Sequence, residues 1–205
     1  MDNHPSLDVG YFFPTAIGVC VNLVSQDELI NLQKSSSNIF ASSDNSDNNN
    51  WLSGSQSPFN TMATHNIATD SDFDCLRVAV DAKVKEFALH HADTGSYVSD
   101  HAWLNVYQAG QYQEPHTHSA PYIYSAVFFI TASNESGLFV AQAPYVHAQI
   151  ESNHAGSNVL TDTKRWYQPQ SNMLIIFKST VSHYTTPNRN DKDTRISVAF
   201  NYKSI

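Results

Sequence analysis

The chain has 205 residues, of which 41% are hydrophobic and 12% aromatic, enough to close one substantial core and too many for a globally disordered chain. Its 19 acidic and 11 basic residues give a formal net charge of −8, and without a cluster of Lys and Arg this excludes the usual electrostatic footprint of a nucleic-acid-binding protein. The chain has no apolar run of membrane-spanning length, and its first residues lack the order of a signal peptide. We therefore expect a single cytoplasmic domain, 1–205, without a nucleic-acid or membrane partner.

The first part of the chain predicts a strand, a helix and a loop. Aromatic and β-branched residues over 9–23, interrupted by Pro14, predict a first strand with a bend or an edge position. Ser25 and Glu28 have the spacing of a capping box, which predicts a helix over about 26–34. The Ser, Asn and Asp residues that dominate 35–60 cannot bury enough apolar surface to offset their ordering entropy, so we expect a long surface loop there.

A second helix is predicted by apolar residues at steps of three and four, which place them on one buried face. These residues are Phe73, Leu76, Val80, Val84 and Phe87. The pattern ends near His90, so the segment 1–100 should provide helices that support the rest of the fold.

From Trp103 onward, short runs of Val, Ile, Phe and Tyr alternate with turn residues, and 147–164 is typical of an insertion. The predicted strands are 102–108, 121–131, 137–142, 172–178 and 195–202. Strands at this spacing without intervening helices favour an antiparallel sandwich or barrel such as a jelly roll. The expected fold class is therefore mainly β with N-terminal helices (α+β), its core lying over 101–205.

Three histidines are candidates for metal binding. His116 and His118 are two residues apart, which on a strand places both imidazoles on the same face and close enough to share one ion. His183 follows an apolar strand 65 residues later, so that a returning strand could supply a third ligand. An isolated His-x-His pair arises readily by chance in a histidine-rich chain, so its meaning depends on the residues around it.

Two further pairs of polar residues are also separated by two positions on a predicted strand. Asn105 and Tyr107 share one face of a predicted strand, and Arg195 and Ser197 share one face of the last strand. An arginine buried inside a barrel requires an anion, because an unpaired buried charge is too costly.

Residues Trp103 to Tyr202 resemble the iron(II)- and 2-oxoglutarate-dependent dioxygenases, which have a double-stranded β-helix (jelly-roll) core. Within them, the chain is most similar to a group of uncharacterised 2-oxoglutarate–iron(II) oxygenases from bacteria and phages with a His-x-His motif. The segments that carry the resemblance are Trp103-Leu-Asn-Val-Tyr107, Gly110 with Pro115-His-Thr-His118, Ser136-Gly-Leu-Phe139, Phe177-Lys-Ser179 with His183, Arg195-Ile-Ser-Val-Ala-Phe-Asn201 and the opening Tyr11-Phe-Phe-Pro-Thr-Ala-Ile17.

The resemblance implies a role for each candidate residue. His116, His118 and His183 would bind Fe(II), and Arg195 with the Ser197 hydroxyl would hold the distal carboxylate of the cosubstrate 2-oxoglutarate. Asn105 and Tyr107 match an Asn and a Tyr that contact this cosubstrate in the alkylation-repair branch. The implied activity is hydroxylation of a substrate with release of succinate and CO2, without catalytic residues beyond the metal site.

The chain departs from the family's common pattern at one ligand. His118 stands where Asp or Glu usually completes a triad of two histidines and one carboxylate. A neutral third imidazole leaves the bound ion one unit more positive, which should alter metal affinity and oxygen activation. Three imidazoles also suit zinc, copper or nickel, so activity and the native metal stay open at this point.

Two other classes of protein remain as alternatives. A cupin also opens with Gly110 and, after five residues, His-x-His, but Tyr122 and Ile123 occupy the positions of its glutamate. A non-catalytic metal-binding jelly roll would explain the missing carboxylate, but it gives no reason for an inward-facing Arg195.

The substrate is expected to be a small molecule or a protein side chain, and a homodimer is left open. Tyr122 and Tyr124 alternate onto the face of His116 if the strand has no bulge, which predicts that they line the substrate side. The Ser/Asn-rich stretch and the 147–164 insertion are the segments expected to set specificity.

Overall fold

The computed structural model describes residues 15–43, 56–144 and 162–205. In chain order the elements are β1 (Ile17–Val21), α1 (Gln26–Ser42), β2 (Phe59–Asn60), α2 (Asp74–Leu89), β3 (Tyr97–Tyr107), β4 (Gln113–His116), β5 (Tyr122–Thr131), β6 (Phe139–Gln142), β7 (Lys164–Tyr167), β8 (Met173–Lys178), β9 (His183–Thr185) and β10 (Arg195–Ser204). Two 3-10 turns, Ile67–Thr69 and Ser71–Phe73, precede α2.

Ten strands in the described residues form two antiparallel sheets. One has six strands in the order β1-β8-β5-β10-β3-β2, and the other has four in the order β4-β9-β6-β7. The order is not sequential in either sheet, as expected of a jelly roll and not of a simple meander. The predicted fold class, mainly β with N-terminal helices around a double-stranded β-helix, is confirmed.

The six-stranded sheet has two different faces. The side chains of Leu104, Val106 and Val198 join a core cluster that also contains residues of both helices, among them Leu32 and Val84. Because successive side chains on a strand point to opposite faces, the alternate residues of β3 and β10 face away from the helices. The polar residues of the predicted site lie on these alternate positions.

Helix α1 begins as predicted and ends later than predicted. The Ser25 Oγ accepts from the Glu28 amide at 3.3 Å and the Glu28 carboxylate accepts from the Ser25 amide at 2.8 Å, which completes the capping box. The helix continues to Ser42, eight residues beyond the predicted end, so the expectation of a loop from residue 35 was wrong for 35–42. Ile39 and Phe40 pack against the core and extend the apolar face that contains Leu29, so tertiary packing outweighs the weak helix propensity of serine.

Helix α2 confirms the periodicity argument. Its buried positions include Leu76, Val80, Val84 and Phe87, and His90 is its C-cap residue. Neither described helix is long and apolar enough to cross a membrane.

The short strands β2, β4, β7 and β9 were not predicted. They have two to four residues each and lack a run of alternating apolar side chains, so local sequence gives little signal for them. Lys164, placed in the predicted insertion, begins β7. Most of that insertion, the first residues of the predicted strand 9–23 and much of the Ser/Asn-rich stretch lie outside the described residues.

Candidate functional site

The three predicted histidines converge. Their candidate ligand nitrogens all lie within 4.8 Å of one another. The ring centroids are 4.2 Å apart for His116 and His183, 5.3 Å for His116 and His118, and 5.2 Å for His118 and His183. His116 and His183 face each other in the register of β4 and β9, whereas His118 follows the end of β4. The cluster of described residues contains no carboxylate, so a site built from it would have three imidazole ligands.

Two of the imidazoles are held in one tautomer by backbone carbonyls. The Nδ1 atom of His116 lies 2.8 Å from the carbonyl oxygen of Glu114, and the Nδ1 atom of His183 lies 2.9 Å from that of Val181. Because a carbonyl oxygen only accepts hydrogen bonds, Nδ1 carries the proton in both rings and Nε2 keeps its lone pair. This is the arrangement that orients a metal-binding histidine.

Burial keeps the three rings neutral. Desolvation lowers the pKa of His116, and it lowers the pKa of His118 to about 4 with a further contribution from the neighbouring His116. The pKa of His183 falls well below its usual value for the same reason, because the ring is almost completely buried next to both other histidines. Metal binding competes with protonation of the rings, so at neutral pH none of the three has to lose a net positive charge before an ion binds.

Arg195 is fully buried and only partly satisfied. Its Nη1 donates to the carbonyl oxygen of Ser136, while Nε and Nη2 have no hydrogen-bond partner among the described residues. The guanidinium carbon lies 3.8 Å from the ring centroid of Tyr107, and desolvation lowers its pKa. Burying two charged donors without an acceptor is energetically costly. A carboxylate would offset this cost best, because hydrogen bonds between two charged groups are the strongest.

The predicted pairs around Arg195 lie side by side. In the register of β10 and β3, Arg195 is opposite Tyr107 and Ser197 is opposite Asn105. The Asn105 Oδ1 is also buried and has no partner in the part of the chain that the structure describes, and the Tyr107 hydroxyl donates to the Gln113 Oε1 at 3.2 Å.

One cavity joins these two groups of residues. It is lined by His116, His118 and His183 together with Asn105, Tyr107 and Ser197. The donor set fits a divalent metal at the imidazoles and a dicarboxylate that extends towards Arg195.

The prediction for Tyr122 and Tyr124 was wrong. Neither residue lines this cavity. Tyr124 packs in the core on the helix side, edge-on to Phe87 at 5.9 Å, and its hydroxyl donates to Asp93. The Tyr122 hydroxyl lies 3.5 Å from Asp100. The prediction assumed that residues alternating along β5 share a face with His116. It failed because β5 belongs to the six-stranded sheet and β4, which ends at His116, belongs to the other sheet.

Sequence reasoning missed several residues of the site. Trp103 lines the cavity with its ring 5.8 Å from that of His118, and no described residue accepts a hydrogen bond from its indole N–H. Asn201 lies with its amide nitrogen 3.2 Å from the His118 Nδ1. Two-residue spacing from Asn105 and from Ser197 through Ala199 could have indicated both positions.

The fold defines the class of double-stranded β-helix proteins to which 2-oxoglutarate-dependent oxygenases belong. Residues 101–201 match the family described as "Putative 2OG-Fe(II) oxygenase". The predicted resemblance is confirmed, and the family supports an enzyme of the oxygenase class. No curated protein sequence matches the chain.

Solved structures of this fold cover nearly the whole chain at low sequence identity. The epimerase SnoN, described as a non-heme alpha-ketoglutarate-dependent enzyme of nogalamycin biosynthesis, has a TM-score of 0.69 at 11% identity, over 93% of this chain and 77% of SnoN. A prolyl-4-hydroxylase from Pseudomonas putida has a TM-score of 0.61 at 11% identity, over 92% of each chain. AviO1 from Streptomyces viridochromogenes has a TM-score of 0.66 at 13% sequence identity, over 93% of this chain and 90% of AviO1. These similarities establish the fold.

Proposed function

We propose that this protein is an Fe(II)- and 2-oxoglutarate-dependent dioxygenase that hydroxylates its substrate and releases succinate and CO2. The observation that carries the proposal is a buried arginine with two unpartnered donors beside a cavity that three neutral imidazoles also line. A structural barrel gains nothing from such an arginine, because its burial costs free energy that only a bound anion offsets.

The proposal gives each predicted site residue in or beside the cavity one task. His116, His118 and His183 hold the metal, and the unpartnered donors of Arg195 with the Ser197 hydroxyl hold the distal carboxylate of 2-oxoglutarate. A bound metal, with 2-oxoglutarate and O2, would supply the oxidation: one oxygen atom of O2 would enter the succinate that forms with loss of CO2, and the other would enter the substrate. The protein itself contributes orientation and exclusion of water.

Tyr107 and Asn105 position the cosubstrate in this proposal. The ring of Tyr107 covers one face of the Arg195 guanidinium and fixes its direction. Asn105 lies opposite Ser197 and presents its amide to the cavity, where the NH2 group can donate to a cosubstrate oxygen.

Fe(II) is the proposed metal, with zinc or nickel as substitutes that three imidazoles also accept. The epimerase SnoN has been crystallised with Fe3+ and alpha-ketoglutarate, which supports the same pairing of metal and cosubstrate here. Without a carboxylate ligand the ion keeps one more positive charge, and this extra charge favours the anionic cosubstrate as a ligand.

The proposed substrate is a small molecule or a protein side chain, and the proposed compartment is the cytoplasm. The net charge of −8 disfavours a nucleic-acid substrate, because it repels the phosphate backbone.

The test measures cosubstrate binding and turnover separately. Without oxygen, the protein with Fe(II) and 2-oxoglutarate should develop the visible charge-transfer band of an iron–keto-acid chelate, and with oxygen it should convert 2-oxoglutarate to succinate. A cupin or a non-catalytic jelly roll would bind metal and give neither signal. Failure of both signals in metal-loaded protein would therefore overturn the proposal.

The Arg195→Ala variant separates cosubstrate binding from metal binding. It removes charged hydrogen bonds worth about 1.5–3 kcal/mol each, so the affinity for 2-oxoglutarate should fall by at least about tenfold. The metal affinity, measured with Co(II) in the same variant, should stay within about twofold of the wild type, because Arg195 is not among the converging ligands. An equal loss of both affinities would contradict the assignment, and Ser197→Ala should give a smaller loss for 2-oxoglutarate alone.

A further inference from the structure

A buried chain of hydrogen bonds ends at His118. The Ser179 Oγ lies 2.8 Å from the Ser125 Oγ, which lies 2.8 Å from the Asn201 Oδ1, and the Asn201 Nδ2 lies 3.2 Å from the His118 Nδ1. Ser179, Ser125 and Asn201 are 0%, 1% and 4% exposed. Water therefore cannot readily replace these partners, and each polar group depends on its neighbour in the chain.

His118 differs in this respect from the other two histidines. The Nδ1 atoms of His116 and His183 face backbone carbonyls, which can only accept. The Nδ1 of His118 faces a side-chain amide, which offers a donor at one end and an acceptor at the other. The partner of His118 can therefore support either tautomer.

With the amide oriented as in the structure, Asn201 donates to the His118 Nδ1. A neutral imidazole whose Nδ1 accepts a hydrogen bond carries its proton on Nε2, and a protonated nitrogen cannot coordinate a metal ion. In this state His118 presents an N–H to the cavity, while His116 and His183 present lone pairs.

A half-turn of the amide reverses every bond in the chain without moving its atoms far. The Oδ1 then accepts from a protonated His118 Nδ1, the Nδ2 donates to the Ser125 Oγ, and the Ser125 hydroxyl donates to the Ser179 Oγ. The serine pair permits both directions, because either hydroxyl can be its donor. His118 then offers its Nε2 lone pair as the other two histidines do.

We propose that Asn201 is a positioning residue that sets the tautomer of His118, and so decides whether the third imidazole coordinates the metal. The inference rests on the metal site of the proposed function and deepens it. In the metal-free protein His118 carries its proton on Nε2, and metal binding moves the proton to Nδ1 as the Asn201 amide turns. His116 and His183 are therefore held in the metal-binding tautomer before the ion arrives, whereas His118 adopts that tautomer only when the ion binds.

The test reads the tautomer directly by long-range proton–nitrogen NMR of the ring nitrogens in the 15N-labelled full chain, with and without Zn(II). His118 is assigned by the loss of its signals in His118→Gln. Without metal, His116 and His183 should carry the proton on Nδ1 and His118 on Nε2. With saturating Zn(II), all three rings should carry it on Nδ1.

Three outcomes would overturn the proposal in distinguishable ways. If His118 already carries its proton on Nδ1 without metal, Asn201 does not set the tautomer. If Zn(II) binds and the His118 tautomer does not change, the third imidazole is not a ligand, although the proposed oxygenase function can stand. If Zn(II) does not bind at all, both the metal site and this inference fail.

Two substitutions separate positioning from a structural role. Asn201→Asp offers only acceptor atoms, so it should hold the proton on Nδ1 without metal and raise the Zn(II) affinity by about tenfold. Asn201→Leu, of similar size, leaves Nδ1 unpartnered and should lower the affinity by about 10–100-fold, the usual effect of losing such a partner. A purely structural Asn201 predicts that both variants weaken Zn(II) binding, and that result would overturn the proposal.

Discussion

At the scale of the residue, Arg195 shows how burial prepares a side chain to bind a ligand. Each unpartnered donor in the interior costs about 1–3 kcal/mol, and the Arg195 Nε and Nη2 are two such donors. The Tyr107 ring, whose centroid lies 3.8 Å from the guanidinium carbon, offsets part of this cost by a cation–π contact. The free-energy cost of burying these donors arises on folding. A carboxylate that accepts hydrogen bonds from both donors removes this cost, and the free energy regained strengthens its binding.

At the scale of the residue, the three buried histidines also predict how the stability of the metal-free protein depends on pH. Burial lowers the pKa of His118 to about 4 and also lowers those of His116 and His183, whereas the unfolded chain titrates near 6.5. Between pH about 6.5 and about 4 the unfolded state therefore binds more protons than the folded state. The free energy of unfolding should fall as the pH is lowered through this window.

Urea unfolding of chelator-treated protein across this range measures the effect. His118→Gln should show a weaker pH dependence, because it removes one of the buried titrating groups. His90→Gln is the matched control for replacing a histidine by glutamine, since His90 is exposed at the end of α2. An identical pH dependence in the wild type and His118→Gln would contradict the prediction.

At the scale of the element, two glycines show when backbone conformation alone decides a substitution. Gly110 and Gly137 have φ values of 79° and 76°, in the left-handed region. A Cβ at Gly110 would meet nothing within 4 Å, whereas at Gly137 it would lie 2.4 Å from the Thr186 carbonyl oxygen and 2.6 Å from that of Pro187. An alanine would be strained by the left-handed backbone at both positions, but only at Gly137 would its Cβ also clash with neighbouring backbone atoms.

Gly110→Ala should therefore cost about 1–2 kcal/mol of stability, the price of the left-handed conformation. Gly137→Ala should cost clearly more, because two backbone oxygens in the segment between β9 and β10 would have to move. Thermal unfolding of both variants checks the difference, and equal losses would show that the loop at Gly137 yields more easily than its packing indicates.

The strands also show which parts of the site the sequence could predict. Alternation along β3 and β10 correctly brought Asn105 and Tyr107 beside Ser197 and Arg195, because both strands lie in one sheet and keep their register. The same rule failed for Tyr124, whose strand lies in a different sheet from His116. Alternation predicts faces within a sheet and says nothing about which faces of two sheets meet.

Long-range contacts account for what the sequence did not predict. Asn201 and His118 are 83 residues apart, and no local pattern indicates that the two meet. Helix α1 passed its predicted end because Ile39 and Phe40 find partners in a core that exists only after the sheet has formed.

At the scale of the whole molecule, the proposed metal connects the two sheets. His116 and His183 belong to the four-stranded sheet, while Asn201, the partner of His118, belongs to the six-stranded sheet. His118 lies between them, and its amide donates to the Ser179 carbonyl oxygen at 2.9 Å. An ion bound at the cluster should therefore stabilise the entire fold.

The expected size of this effect follows from mass action. An ion present at 100 times its dissociation constant, and binding only the folded state, adds about 2.7 kcal/mol. For a chain of this length that corresponds to a rise in melting temperature of about 5–10 °C. Calorimetry with Zn(II), followed by excess chelator, should show the rise and its reversal. His183→Gln should abolish it, since His183 is the most buried of the three rings, and His90→Gln should retain it. A rise that survives His183→Gln would place the ion at another site and remove the support that the cluster gives to the proposed function.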